Sequence, residues 1–391
     1  KVWHNWRHRS SPPINESLLL SERETQVKSL FETLVGSPKI LHVKADSADE
    51  AQAFIIAAIE ALPNDDPLKL DILARTIIIR DEETAFRLPS GDKKRLILLL
   101  HDNAKKHAGG LLARNHTIIV PVGNSDRGKQ PDIVLKRQSR KAFAKGLESL
   151  GLTPDIAEIQ ARHCSCSVTV FQRRFPSSTI ERPSWASDDK LRMLIPAVLA
   201  GAWAEKSKAD TKILSSLSER EHDDYVSTIH QFLSVDDPPI TRAGEVWILA
   251  APADAFALSE HLITPQDLTR LEKCVREVFG EIDPSIDLEP KELPFAGLHG
   301  KTLQNSSWLR DGLAQTLLSV AVIGNNLTFP AGSDQQTFVK SLIRQLPGLR
   351  TDPRLLISLR DQLPVLMEAA PDPFVEALET LLQGDDRIAQ V

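Results

Sequence analysis

Residues Pro38–Leu62 read PKILHVKADSADEAQAFIIAAIEAL, and this stretch decides the fold of the first part of the chain. The pattern predicts a buried strand over Ile40–Val43, a polar turn over Lys44–Asp49, and a helix that starts on acidic residues. Asp46 or Ser47 can cap this helix. A strand, a tight turn and a helix in this order can hold phosphate in α/β proteins, because the first N–H groups of the helix are free to bind an anion.

The turn itself departs from the usual phosphate loop. That loop follows the pattern G-x-x-x-x-G-K-[ST], in which the backbone cradles the phosphates and the lysine reaches them. Lys44–Ser47 reads KADS, with no glycine and no lysine directly before the serine. We therefore expect a degenerate phosphate loop, with Asp46, Ser47 and Ala48 as the residues nearest to any bound phosphate.

The following hundred residues alternate strand and helix patterns, which predicts an α/β domain with a parallel sheet. After the helix over Ala48–Leu62, strands are expected in four segments: Asp71–Arg80, with Thr76–Ile79 as its best part, Arg95–Asp102, His116–Val122 and Ile133–Leu135. A short helix is expected around Lys105–Arg114. This order of elements favours a nucleotide-binding type of core.

One of these strands carries a candidate catalytic residue. The segment Arg95–Asp102, RLILLLHD, is continuously apolar and ends in an acid. In NTPases, an acid at the carboxyl end of a buried strand orients a hydrated Mg²⁺ beside the phosphates, so Asp102 is a Walker-B-like candidate. The alternative is that Asp102 only begins a loop or caps the next helix.

The chain changes character after the α/β region. Residues 139–175 read as helices, residues 176–185 as a Pro/Ser-rich linker, and residues 189–205, 210–218 and 222–234 as helices again. A hairpin follows, with PPIT and VWIL joined by a turn over Arg242–Gly244. Three helices and a hairpin are typical of a winged helix. The third helix lacks Lys and Arg and carries two Asp, which favours a protein contact over DNA reading.

The last part of the chain has helical apolar spacing throughout. The segments are Leu262–Phe279, Ser307–Ile323, Gln335–Gln345, Pro353–Ala369 and Pro373–Gln383. Paired helices of this size predict a solenoid-like array. The expected organisation is an entry segment (1–36), an α/β NTPase-like core (37–137), a helical lid (138–176), a winged-helix-like domain (177–262) and an α-helical array (263–391).

Composition narrows the classes of function. The chain has 391 residues, a formal net charge of −6 and 41% hydrophobic residues. An acidic balance does not favour DNA binding, and no apolar run reaches the ~18 residues of a membrane span. The three cysteines are too few for a disulfide framework, so we expect a cytoplasmic protein. The chain starts KVWHNWRHRSSPP without an initiator Met, and we interpret it as part of a longer protein.

Two clusters of metal-binding residue types are also present. His4 and His8 have the i, i+4 spacing of a metal pair, and His163-Cys164-Ser165-Cys166 places three ligand types together. Neither cluster has a second set of ligands nearby in the sequence. We therefore predict no metal site.

A resemblance to a known family emerges from these elements. The segment LLLSERETQVKSLFETL resembles the L-x-G-R-x-x-x-x-x-L entry helix of STAND-class NTPases, a branch of the AAA+ ATPases, with Arg23 at the arginine position and Glu22 at the glycine position. The domain order is similar as well, and later segments look like large bacterial multidomain proteins of antiphage defence. The resemblance implies a switch in which a protein trigger, such as a phage protein, releases the core to oligomerise and activate an effector. It also implies ATP and Mg²⁺ as candidate cofactors, with Arg23 near the nucleotide.

Three hypotheses about function follow. The first is a regulatory or scaffold module with a degenerate nucleotide site, which acts through protein partners or other domains of its own chain. The second is an active ATPase that uses the helix over Ala48–Leu62 and Asp102. The third is a winged-helix transcriptional regulator, and the acidic third helix argues against it. The first is preferred, because the phosphate-loop lysine that neutralises phosphate charge is absent.

Overall fold

The chain forms two compact units in a computed structural model that describes residues 2–91, 94–126, 130–177, 182–289 and 291–384. Unit 1 comprises Lys1–Ser184 and Ser234–Pro238, and unit 2 comprises Trp185–Leu233 and Pro239–Val391. The short segment Ser234–Pro238 thus belongs to unit 1, although the chain on both sides of it belongs to unit 2. Residues 127–129, between the predicted strands over His116–Val122 and Ile133–Leu135, residues 178–181 of the predicted linker and the last residues, 385–391, lie outside the described residues.

Unit 1 contains an α/β core built on a five-stranded parallel sheet, as the sequence predicts. The strand order is β2-β3-β4-β1-β5. The strands are β1 (Ile40–Lys44), β2 (Thr76–Ile79), β3 (Ile97–Leu100), β4 (Thr117–Val122) and β5 (Ile133–Val134). The first strand of the chain, β1, lies between the last two strands, β4 and β5, so the strand order departs from chain order there. Open α/β sheets usually bind ligands at such a point.

Helices cover both faces of the sheet. The helices of unit 1 are α1 (Val2–Arg7), α2 (Glu16–Leu20), α3 (Glu24–Val35), α4 (Ala48–Glu60), α5 (Pro67–Arg75), α6 (Glu82–Arg87), α7 (Ala108–Ala113), α8 (Arg140–Glu148), α9 (Pro154–His163) and α10 (Val168–Arg174). One buried cluster joins α3, α4 and α5 to one face, and a second joins α6 and α7 to the other. Burial on both faces accounts for the continuous apolar run in β3.

The predicted strand over Asp71–Arg80 is wrong in its first half. Residues 71–75 form the last part of α5, and the strand starts only at Thr76. Asp66 caps α5 through its side chain, which accepts a hydrogen bond from the Leu68 amide, and Pro67 occupies the first turn. A cap followed by proline starts a helix here, and the helix continues until the β-branched residues of β2 begin.

Unit 2 combines helices with a small antiparallel sheet of order β6-β8-β7. Its strands are β6 (Ala202–Ala204), β7 (Ile240–Ala243) and β8 (Val246–Leu249), of which the last two form the predicted hairpin. The turn predicted over Arg242–Gly244 starts later, because Arg242 and Ala243 still pair with Trp247 and Val246. Its helices are α11 (Asp188–Ala200), α12 (Lys208–Ser218), α13 (His222–Ile229), α14 (Pro252–Ser259), α15 (Pro265–Phe279), α16 (Ser307–Ile323), α17 (Gln335–Arg344), α18 (Pro353–Ser358), α19 (Leu363–Ala369) and α20 (Asp372–Gly384).

Two predicted helices of unit 2 are too long. The helix expected over 189–205 ends at Ala200, because Gly201 has a φ of 74° and turns the chain into β6. The helix expected over Pro353–Ala369 is two helices, α18 and α19, with a break between Ser358 and Leu363. A proline in the first turn of α19 lacks the N–H that a continuous helix would need.

The junction between α11 and β6 packs directly against the backbone of α16. A Cβ atom built on Gly312 of α16 would lie 2.2 Å from the carbonyl oxygen of Ala200 and 2.6 Å from the amide nitrogen of Ala202. A Cβ on Gly201 would lie 2.6 Å from the Cα of Gly312. Because Gly201 and Gly312 have no side chains, the backbone of the α11–β6 junction can come into contact with the backbone of α16.

No helix in the described parts of the chain combines the length and the apolar character that crossing a lipid bilayer requires.

Candidate functional site

A cleft of about 890 Å³ lies in unit 1 at the carboxyl edge of the parallel sheet. Ser47, which follows β1, and Ser125, which follows β4, both line it. Residues of α1, α10 and the segment Ser234–Pro238 complete the wall. The cleft is rich in charge of both signs, and its charged lining residues are Asp49, Asp236, Asp237, Arg9, Arg173 and Arg182.

The segment Ser234–Pro238 places one carboxylate on the loop after β4. The Oδ1 atom of Asp236 accepts hydrogen bonds from the Ser125 amide at 2.9 Å and from the Ser125 hydroxyl at 2.7 Å. A Cβ atom on the nearby Gly123 would lie 2.1 Å from the same carboxylate oxygen. Only glycine at position 123 therefore leaves room for the Asp236 carboxylate.

The next residue ties the segment to the turn after β1. The Asp237 amide donates a hydrogen bond to the Asp46 carbonyl oxygen at 2.8 Å, and the Asp237 carboxylate forms an ion pair with Arg173 of α10. Asp237 is 6% exposed and has a φ of 50°. The left-handed region costs a non-glycine residue about 1 kcal/mol, and aspartate is one of the few that visit it. These contacts hold the two carboxylates beside the turn between β1 and α4.

The start of α4 is capped as predicted, by Ser47 rather than Asp46. The Ser47 hydroxyl accepts a hydrogen bond from the Glu50 amide at 3.2 Å. Asp49 in the first turn accepts a hydrogen bond from the Trp6 indole at 2.8 Å and forms an ion pair with Arg9. The negative charge of Asp49 interacts favourably with the positive end of the α4 dipole, so it occupies the position from which a bound phosphate would make the same interaction.

Arg23 lies in a buried ion pair. It is 4% exposed, and its Nη2 donates to the Glu50 carboxylate at 3.1 Å and to the Lys136 carbonyl oxygen at 3.0 Å. Glu50 is 7% exposed, and burial raises the pKa of its carboxyl group, while the positive charge of Arg23 opposes that rise. The guanidinium group predicted to lie near a nucleotide is thus held by protein groups, and Arg23 does not line the cleft described here.

The other residues expected near a phosphate make similar internal contacts. Asp46 accepts a hydrogen bond from the Nε of Arg137 at 2.8 Å in an ion pair. Ala48 is the half-buried first residue of α4. The sequence analysis names five candidate residues: Arg23, Asp46, Ser47, Ala48 and Asp102. In the part of the chain that the structure describes, only Ser47 of these five lines the cleft.

Asp102 follows β3 at the carboxyl edge, as predicted. It is exposed, has a φ of 48° and begins a 3₁₀ helix over Asp102–His107. Its neighbour His101 is 7% exposed, and burial, assisted by the positive charge of Arg80, lowers the pKa of its imidazole to about 4. His101 is therefore neutral near pH 7. Asp102 is free to meet solvent from a strand end, but it is not a lining residue of the cleft.

Metal-binding residue types are scattered rather than clustered. Among the residues that the structure describes, no group of three or more His, Cys, Asp or Glu side chains could hold a metal ion. The three cysteines form no disulfide; Cys164 and Cys274 are buried, and Cys166 is half-buried. Burial raises the pKa of the Cys274 thiol to about 12 and also raises that of Cys166, which disfavours the thiolate that binds metals.

Comparison with protein-family models and with curated proteins gave no match for this chain. The chemistry of the cleft is therefore the basis on which a function can be proposed. Sequence reasoning missed the most informative residues there, Asp236 and Asp237, because they precede the hairpin and read as a connection. The signal that was available is the run Asp-Asp-Pro-Pro, in which two acids stand before residues that stiffen the chain.

Proposed function

We propose that this chain is the regulatory or scaffold switch module of a STAND-like bacterial defence protein, with a degenerate nucleotide site. It passes a sensed signal to an effector through oligomerisation or a conformational change, and it does so without ATP hydrolysis. Its partners are other proteins or other domains of the same protein, and the trigger is of protein origin, for example from a phage.

One observation carries this proposal. The carboxylates of Asp49, Asp236 and Asp237 line the cleft at the carboxyl edge of the sheet, beside the turn where a nucleotide would place its phosphates. Two like charges about 4 Å apart repel by roughly 1 kcal/mol in water and by roughly 4 kcal/mol at an effective dielectric constant of 20. A triphosphate would meet this repulsion without the lysine that normally offsets it. The positive charges of Arg9 and Arg173 in the cleft are already used in ion pairs with Asp49 and Asp237.

The entry segment supports the resemblance from which the proposal starts. Glu22, at the position of the family's glycine, has a φ of 58°, which is the backbone region that favours glycine. The Glu22 carboxylate accepts hydrogen bonds from the Ser139 amide at 2.8 Å and the Ser139 hydroxyl at 2.7 Å. A glycine-type turn is thus retained next to Arg23 with a different side chain.

Unit 2 supports the winged-helix part of the proposal by the order of its elements. The sequence α11, β6, α12, α13, β7, β8, with β6 paired to β8, adds a short strand after the first helix to the three helices and hairpin expected from sequence. Asp223 and Asp224 lie in the first turn of α13, so an acidic surface argues against the alternative of a DNA-reading regulator. We assign the lid to α8–α10 and the helical array to α15–α20 as part of the same proposal.

The second candidate function is an active nucleotide switch. The exposed carboxylate of Asp102 after β3 and the N-terminus of α4 at the cleft are the features that favour it. In that case ATP would bind with Mg²⁺ held near Asp102.

Calorimetric titration with ATP, with and without Mg²⁺, separates the two candidates. We expect no saturable heat up to millimolar ATP for the unmodified protein, because two of the arginines that line the cleft, Arg9 and Arg173, already form ion pairs with its carboxylates. The Asp102→Asn variant should behave identically, and Asp65→Asn, at an exposed turn, serves as the matched charge control. Micromolar binding that Asp102→Asn weakens and Asp65→Asn leaves intact would sink the degenerate-site proposal.

A further inference from the structure

We infer that Ser234–Pro238 is a displaceable acidic segment, called the latch below. Its two carboxylates occupy the cleft of unit 1 in the resting protein and leave the cleft together on activation. This inference rests on the proposed switch function, because a latch requires a second state. It adds which residues close the site and what holds them there.

The contacts of the latch have the character of ligand recognition. Asp236 receives an amide and a hydroxyl donor from the same residue, Ser125, which is how an oxyanion is bound at a loop. Asp237 pairs with Arg173, whose side chain is 9% exposed, so the guanidinium offers a nearly dry site for one carboxylate. The carboxylates of Asp236 and Asp237 therefore act as internal anions that are bound by donor groups of the cleft.

Space for the latch is reserved by one glycine. The Asp236 carboxylate lies where any side chain at position 123 would have to be, because its oxygen and carbon atoms are 2.1–2.6 Å from the place that a Cβ atom would take. Gly123 and Ser125 thus form one recess for one carboxylate. The close fit of the Asp236 carboxylate to this recess indicates a specific binding position for it, in contrast to a loose contact of a surface loop.

The latch is suited to move as one piece. Pro238 and Pro239 follow the two acids directly and fix the backbone there, since proline locks φ and donates no hydrogen bond. Asp237 also has a left-handed backbone, with a φ of 50°, and release from the cleft relieves it. Loss of the Asp237 amide bond to Asp46 and loss of the Ser125 amide bond to Asp236 should therefore occur in one opening event.

Native-state hydrogen exchange of the full chain tests this directly. The amides of Ser125 and Asp237 should exchange through a shared opening, at least tenfold faster than buried amides of β1 and β4, and with little dependence on denaturant. Exchange of these two amides only through global unfolding would overturn the latch. This readout is independent of ATP, so failure of the latch is distinguishable from failure of the proposed function, which the ATP titration tests.

Two variants complete the test. Asp236→Ala combined with Asp237→Asn removes both charges while keeping a residue that tolerates the left-handed backbone, and Gly123→Ala fills the recess without changing any charge. Each should speed exchange at Ser125 and Asp237 by a further tenfold or more. The matched controls are Asp223→Ala with Asp224→Asn, and Gly109→Ala, where a Cβ meets nothing within 4 Å. Variants that exchange like their controls would contradict the inference.

Discussion

Replacing Arg23 with alanine should lower the free energy of unfolding of unit 1 by about 3–5 kcal/mol, because it leaves the Glu50 carboxylate buried without its partner. Arg23 and Glu50 are 4% and 7% exposed, so water cannot substitute for the lost guanidinium without opening the structure. The carbonyl oxygens of Leu19 and Lys136 would also lose a charged donor. Chemical denaturation monitored by tryptophan fluorescence measures the change, since Trp3 and Trp6 are buried in this unit.

The pH dependence of the same variant identifies the cause. The pKa of Glu50 is raised by burial, so the folded protein binds its proton more tightly than the unfolded chain does, and stability falls as pH rises above the ordinary value of 4.5. Without Arg23 the folded pKa rises further, so the loss grows towards neutral pH. The difference between Arg23→Ala and the unmodified protein should therefore be smaller at pH 4 than at pH 7.

A double-mutant cycle supplies the control. Adding Glu50→Gln to Arg23→Ala should recover a large part of the stability at pH 7, because an amide is cheaper to bury than an unpaired carboxylate. A pH-independent loss, or no recovery in the double variant, would mean that Arg23 acts through packing of its side chain and not through its charge.

Replacing Gly312 with alanine should destabilise unit 2 by about 3 kcal/mol or more, although alanine is the better helix former by about 1 kcal/mol. The new Cβ atom would lie 2.2 Å from the Ala200 carbonyl oxygen and 2.6 Å from the Ala202 amide nitrogen, and these are backbone atoms that cannot rotate away. To relieve the clash, α16 would have to separate from the α11–β6 junction and uncover the apolar residues between them. Circular dichroism during thermal unfolding should show the lower transition temperature.

Gly110→Ala is the matched control for this substitution. Gly110 lies in α7, and a Cβ atom there meets nothing within 4 Å, so the helix propensity gain is present without the clash. We expect no loss for Gly110→Ala. Equal effects of the two substitutions would show that α16 and the α11–β6 junction tolerate a wider separation than the structure has.

The elements that sequence predicts well are those whose signal is local. The strand β3 follows from a continuous apolar run, and Ser47 follows from the preference of serine for the residue before a helix. The short strand β6 was missed because three residues after a long helix carry no period of their own, and only pairing with β8 defines them. The local hydrophobic pattern is sufficient to predict a helix or strand where the segment is long enough for its buried face to show a period in the sequence.

The site could be predicted only in outline. The turn after β1 and the acid after β3 are both at the carboxyl edge, as parallel strands require. The pairing of Arg23 with Glu50 and of Asp236 with Ser125 joins residues 27 and 111 positions apart. Such pairs depend on the packing of whole elements, and the types of the residues do not indicate which acid meets which donor.

The assignment of Ser234–Pro238 to unit 1 also has a consequence for how the protein is made. A ribosome that has finished Ser184 has not yet synthesised the two carboxylates that fill the cleft. At about 5–20 residues per second, they emerge several seconds later. During that interval Ser125 and Arg173 have not yet formed their contacts with Asp236 and Asp237, so the first unit completes its cleft only after about fifty further residues of the second unit have been synthesised.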